Sequence, residues 1–136
     1  MAPPFLPSAV RAILSEIRDV YQSSGQSSVT HFTEKDMQKW GNMLGALREV
    51  LYDKIASCLA CGFHNLELTF EFCDSVMNGL HEFIVKVNDE RPDLFWDIYL
   101  AFDEGEYYHG NNRDDDPVEV YTRPMIAQIV EKGTFA

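Results

Sequence analysis

Leu94-Phe95-Trp96-Asp97-Ile98-Tyr99-Leu100-Ala101-Phe102 is the stretch on which the fold turns. Leu94, Trp96, Ile98, Leu100 and Phe102 alternate with Phe95, Asp97, Tyr99 and Ala101, the two-residue repeat of a strand. Upstream, Leu66, Leu68, Phe70 and Phe72 alternate with Glu67, Thr69 and Glu71, predicting another strand with one apolar and one acidic face. Between the two, Asp74 is read as the cap of a helix with apolar positions Val76, Met77, Leu80, Phe83, Ile84 and Val87, in spite of the helix-weakening Gly79. Strand, helix and strand together read as a βαβ unit with parallel pairing.

Working outward, Ser8 is placed to cap a first helix whose Val10, Ile13, Leu14, Ile17 and Tyr21 follow the helical repeat. A second helix starts at Thr33, with Asp36 completing a capping box and Phe32 and Met37 a hydrophobic staple. It is expected to run to Gly62. Pro117-Val118-Glu119-Val120-Tyr121 reads as a short extended edge, and Thr122 as the cap of a last helix stopped by Gly133. The predicted fold is α+β or α/β: a small two- to three-stranded sheet with about four helices, in the order ααβαβα and mainly on one sheet face. One globular domain spans 1–136, with 1–7 and 22–31 expected to be flexible.

At 136 residues, the chain holds 22 Asp+Glu against 11 Lys+Arg, a net charge of -11. The charge is one-sided. Residues 1–62 carry six basic and six acidic side chains, whereas the remaining 74 carry five and sixteen and so supply the whole excess. Such a field disfavours direct contact with nucleic acid and steers basic partners toward it. No apolar run reaches the length of a bilayer span, and the proline-rich start lacks the features of a secretion signal. A cytoplasmic protein with reduced thiols is expected from these signs and from three cysteines, an odd number.

Cys58, Cys61, His64 and Cys73 are residues of zinc-ligand type, but at irregular spacing and with two of them inside a predicted helix, so neither a metal nor any other cofactor is expected. No nucleophile, phosphate-loop or dinucleotide motif stands in the chain, so no catalytic residue is assigned and the protein is read as a non-enzyme. Asp103, Glu104, Glu106, Asp114, Asp115, Asp116 and Glu119 surround the single basic Arg113, in an order that does not fit a calcium loop. Tyr107, Tyr108, His109 and Tyr121 are interleaved with these acids. Aromatic anchors among carboxylates suit the grip on a basic protein, and with Asp97 these residues form the candidate interface.

Residues 94–130 resemble in character the small acidic immunity proteins that bacteria make against their own nuclease toxins, those of colicin, contact-dependent growth inhibition and other polymorphic toxin systems. The resemblance is carried by Phe95 to Tyr108, by Asp114-Asp115-Asp116-Pro117-Val118 and by Thr122-Arg123-Pro124-Met125-Ile126. It implies a cognate basic toxin nuclease as partner, with its substrate groove covered by carboxylates and tyrosines and nucleic acid excluded. The alternative is an acidic adaptor or regulator for another basic partner. Free, the chain is expected to be a monomer or a weak homodimer paired across the sheet edge at Leu94 to Phe102.

Overall fold

A computed structural model describes residues 8–110 and 114–133. The expectation of flexibility at 1–7, and Arg113 in the acidic loop, lie outside the described residues. In chain order the elements are α1 (Ser8–Ser23), α2 (Glu34–Leu44), α3 (Arg48–His64), α4 (Phe70–Val87), α5 (Asp93–Asp103), a 3₁₀ turn (Glu104–Glu106), a π-helical turn (Val118–Thr122) and α6 (Arg123–Lys132). The fold is all-helical, and no strand occurs among the described residues.

The expected sheet, and with it the α+β or α/β class, is therefore corrected. In Leu94–Phe102 only Asp97 is strongly polar, so an alternation of two and a helical repeat both fit. The helix buries Phe95, Ile98, Ala101 and Phe102, at steps of three and one, as a helical face requires. A helix also satisfies its own backbone groups, whereas a lone strand in this core would leave its groups unpaired. The other expected strand, Leu66–Phe72, is split. Leu66 adopts a left-handed backbone with φ of 64° in the turn after α3. Thr69 then caps α4, its Oγ1 accepting from the Phe72 amide at 3.2 Å. Asp74, read as that cap, lies inside α4. Without strands there is no sheet edge for a homodimer to pair across, and no sheet face for Glu67, Glu71 and Asp97 to share; each is exposed on a turn or helix.

The Thr33 signal holds in detail. The Asp36 amide donates to Thr33 Oγ1 at 3.1 Å and the Thr33 amide to Asp36 Oδ2 at 3.0 Å, with Phe32 and Met37 both buried. The expected long helix, however, breaks at Gly45, whose φ of 66° provides a left-handed C-cap, and α3 then runs through Gly62 to His64. At the other end, Pro117 to Tyr121 is helical rather than extended, and Thr122 is no cap: its hydroxyl donates to the Ala101 carbonyl at 2.7 Å, tying the π-helical turn to α5.

The centre of the molecule is α3, α4 and α5, with α6 against α3 and α5, and α1 and α2 closing the other side. Leu51, Tyr52, Leu59, Cys73, Val76, Met77, Leu80, Phe95 and Phe102 are fully buried there. Two contacts fix how these helices sit. Pro92 precedes α5 without a side-chain cap, and the open amide of Phe95 is met instead by Asp53 Oδ1 from α3 at 2.9 Å. The segment 27–30 lies along α4: the Thr30 amide donates to the Ser75 carbonyl at 3.1 Å, and Ser75 Oγ donates to the Ser27 carbonyl at 2.7 Å. Gly79 makes this approach possible, since a Cβ there would stand 1.7 Å from the Thr30 carbonyl oxygen. No helix among the described residues is long and apolar enough to cross a membrane.

Two substitutions test these contacts by urea or thermal denaturation. Gly79→Ala forces the 27–30 segment off α4 and costs about 1–3 kcal/mol. Asp53→Ala uncaps α5 and costs about 1 kcal/mol. A Gly79→Ala protein of wild-type stability would show that the segment is not held as described.

Candidate functional site

Along α4, Asp74, Asn78, His81 and Val85 recur at steps of four, three and four, forming one stripe that runs from the buried Asp74 to the exposed Val85. The stripe forms one wall of a cavity of about 700 Å³. Ser28 and Val29 form a second wall, and Tyr99 and Asp103 at the end of α5, with Gly105 and Glu106 of the 3₁₀ turn, complete it. Four carboxyl groups, Asp74, Glu82, Asp103 and Glu106, line this space with no Lys or Arg among them.

Asp74 is 8% exposed, and its Oδ1 has no hydrogen-bond partner among the described residues. The Asn78 amide nitrogen reaches three acceptors, Glu106 Oε2 at 2.9 Å, the Ser28 carbonyl at 3.1 Å and Asp74 Oδ2 at 3.3 Å, though it has only two hydrogens to give. Burial above all, then the hydrogen bond and charge of Glu106 and the charge of Asp103, push the Asp74 carboxyl well above the ordinary carboxylate range. Asp103 is raised in the same direction, by burial first and then by Glu106 and Glu104. Burial and the nearby Arg91 lower His81, so the imidazole supplies little positive charge at neutral pH. It stacks on Tyr99 at 4.5 Å between centroids, Tyr99 stacks on Trp96 at 5.1 Å, and the Arg91 guanidinium lies 3.6 Å from the Trp96 centroid.

Beside the cavity, the two arms of the acidic segment come together. His109 stacks on Tyr121 at 3.8 Å and on Tyr107 at 5.3 Å, and its Nε2 pairs with the Glu104 carbonyl at 2.9 Å. Tyr107 Oη donates to Glu104 Oε2 at 3.3 Å, and that carboxylate, with Asp103, raises the phenol pKa. Tyr107 and Tyr108 are about half exposed (49% and 47%). Asp114, Asp115 and Asp116 are exposed, and Asp116 also accepts from the Val118 amide at 3.0 Å, starting the π-helical turn. Arg123 Nε holds Glu119 at 2.9 and 3.1 Å. Asp97 is exposed on α5 but takes no part in the cavity.

The cysteines are not assembled with His64 into a metal site: no group of three or more His, Cys, Asp or Glu placed to hold a metal occurs among the described residues. Cys58 and Cys73 are buried, and the Cys73 thiol donates to the Leu59 carbonyl at 3.6 Å. Burial pushes all three thiols up, Cys58 to about 11, away from reactive thiolate. Sequence reasoning missed Asp74, Asn78, His81 and Tyr99. Asp74, Asn78 and His81 share one stripe of α4, a spacing hidden when Asp74 is read as a cap, and Tyr99 lies in the run read as a strand. Compared with known proteins, the chain matches no family model, no curated protein and no solved structure.

The raised Asp74 fixes the sign of a pH effect. A carboxyl that binds its proton more tightly folded than unfolded makes the native state lose stability as pH rises from the ordinary aspartate value, near 4, toward the raised one. Asp74→Asn removes this loss, so melting at pH 8 is expected about 5 °C higher than in the wild type, with the gap shrinking toward pH 5. A gap independent of pH would mean that Asp74 is ionised in the folded protein.

Proposed function

We propose that this chain is a binding protein without catalytic activity, an immunity protein that neutralises a cognate basic nuclease toxin in the cytoplasm of the cell that makes both. The observation that carries the reading is the union of Glu104–His109 with Asp114–Tyr121. It sets half-exposed tyrosines and a His–Tyr stack among carboxylates, in the half of the chain that holds the whole net charge. Carboxylates at the rim draw a basic groove in and compete with phosphate for it, and aromatic side chains at the centre slow its release. Fast capture matters for such a partner, because every unbound toxin molecule cuts nucleic acid in its producer.

Capture from the source cell at low salt, with mass spectrometry and a nuclease assay of what is retained, tests the reading. A stoichiometric basic partner is expected, its nuclease activity abolished by one equivalent of this chain. A basic partner without nuclease activity would make the chain an acidic adaptor instead. With the partner in hand, replacing Asp114, Asp115 and Asp116 by Asn is expected to slow association about tenfold and flatten its salt dependence. Asn keeps an acceptor at position 116, so the turn is preserved. Tyr107→Ala is expected to speed dissociation about tenfold with association unchanged.

A further inference from the structure

We propose that the cavity between α4, the 27–30 segment and the Glu104–Glu106 turn receives an alkylguanidinium group, the side-chain end of an arginine presented by the protein partner. The inference deepens the function proposed above and depends on it for the partner, though not for the guanidinium.

Three observations lead there. The cavity has four carboxyl groups and no Lys or Arg in its lining, and one of the four, Asp74, is more than nine-tenths buried with an oxygen that no donor reaches. Buried acceptors of this kind are costly unless something supplies hydrogens, and the Asn78 amide is already divided among three acceptors. Glu82 is engaged by His31 Nδ1 at 3.1 Å, whereas Asp74 and Glu106 share the divided Asn78 amide and, with Asp103, face the cavity without a basic side chain in its lining.

The choice of guanidinium over ammonium comes from shape and from the aromatic wall. A guanidinium is flat and carries five N–H donors, enough for several carboxyl oxygens at once, whereas an ammonium is a compact, strongly hydrated point charge with three. Tyr99 and His81 supply aromatic surface at the cavity, and Trp96, which lies 5.1 Å from Tyr99 and 5.5 Å from His81, already holds one such group, the Arg91 guanidinium. An arriving guanidinium sets one delocalised positive charge against Asp74, Asp103 and Glu106 and offsets their mutual repulsion.

The test uses the isotope-labelled full chain and three probes, Nα-acetyl-L-arginine methylamide, its neutral citrulline counterpart and agmatine. Chemical shifts are followed at the Asn78 side-chain amide and along 78–82 and 103–106. The arginine probe is expected to saturate in the millimolar range, as a single residue does, and the citrulline probe to bind about tenfold more weakly or not at all. Glu106→Gln is expected to lower arginine affinity about tenfold, and Asp103→Asn serves the same purpose should the first variant not fold. Equal response to arginine and citrulline, or shifts centred elsewhere, would overturn the proposal. Tighter binding of agmatine than of the arginine probe would overturn the assignment to a partner side chain, in favour of a free small cation. A captured nuclease that stays inhibited while the arginine probe fails to bind sinks the pocket and spares the immunity reading. Arginine binding with no basic partner captured does the reverse.

Discussion

The hydrogen bond from the Phe95 amide to Asp53 is the contact on which the acidic half of the molecule depends. A helix that begins after proline with no capping side chain has open amides at its first turn, and α3 supplies the carboxylate that meets one of them. With its start pinned to α3, α5 is held in register along the core by Phe95, Ile98 and Phe102. Its last turn then delivers Tyr99 and Asp103 to the stripe on α4. Glu104 to His109 follow directly, and the Thr122 hydroxyl on the Ala101 carbonyl brings the second arm of the acidic segment against them. Burial leaves the Asp53 carboxyl raised, and the Phe95 amide offsets part of that shift by donating to it.

At the opposite end of α5 the electrostatics run the other way. Asp53 is half-buried and has a donor, but Asp74 is buried beside two further carboxyl groups and has one oxygen unmet. A fold selected only for stability has no reason to gather Asp74, Asp103 and Glu106 around one cavity, since each raises the cost of ionising the others. Elsewhere the acids of this chain are paired with some care: Arg48 joins Glu34 and Asp89 and lies near Tyr52, which donates to Asp89 at 2.6 Å, and Trp40 and Lys39 both hold Glu16. The contrast between paired acids around the first half and unneutralised acids at the cavity is a local departure from consistency, and such departures concentrate where a protein binds something.

Local signals in the sequence were legible where the chain settles its own conformation. Thr33 and Asp36 satisfy each other's amides within four residues, so their capping box needs no help from the rest of the fold. The acidic segment and its tyrosines were legible for the same reason, since charge and aromatic content do not depend on what packs where. The strands failed because an almost wholly apolar run such as Leu94–Phe102 fits two periods at once, and the arbiter was Asp53, 42 residues away. Gly79 looked like a weak point in a helix; its reason, the Thr30 carbonyl, is equally remote in sequence.

By itself the sequence determined the helix starts that are capped locally, the confinement of the net charge to residues 63–136 and the clustering of acids with tyrosines, because each of these is a property of neighbouring residues. Tertiary structure decided that the ambiguous runs are helices, that Asp74 is a buried member of a carboxyl cluster rather than a cap, and that His109 and Tyr121 meet. The physical reason is common to all three. Burial, the satisfaction of backbone donors and the mutual repulsion of carboxylates are set by distances in space, and no spacing along the chain encodes which distant groups will come within them.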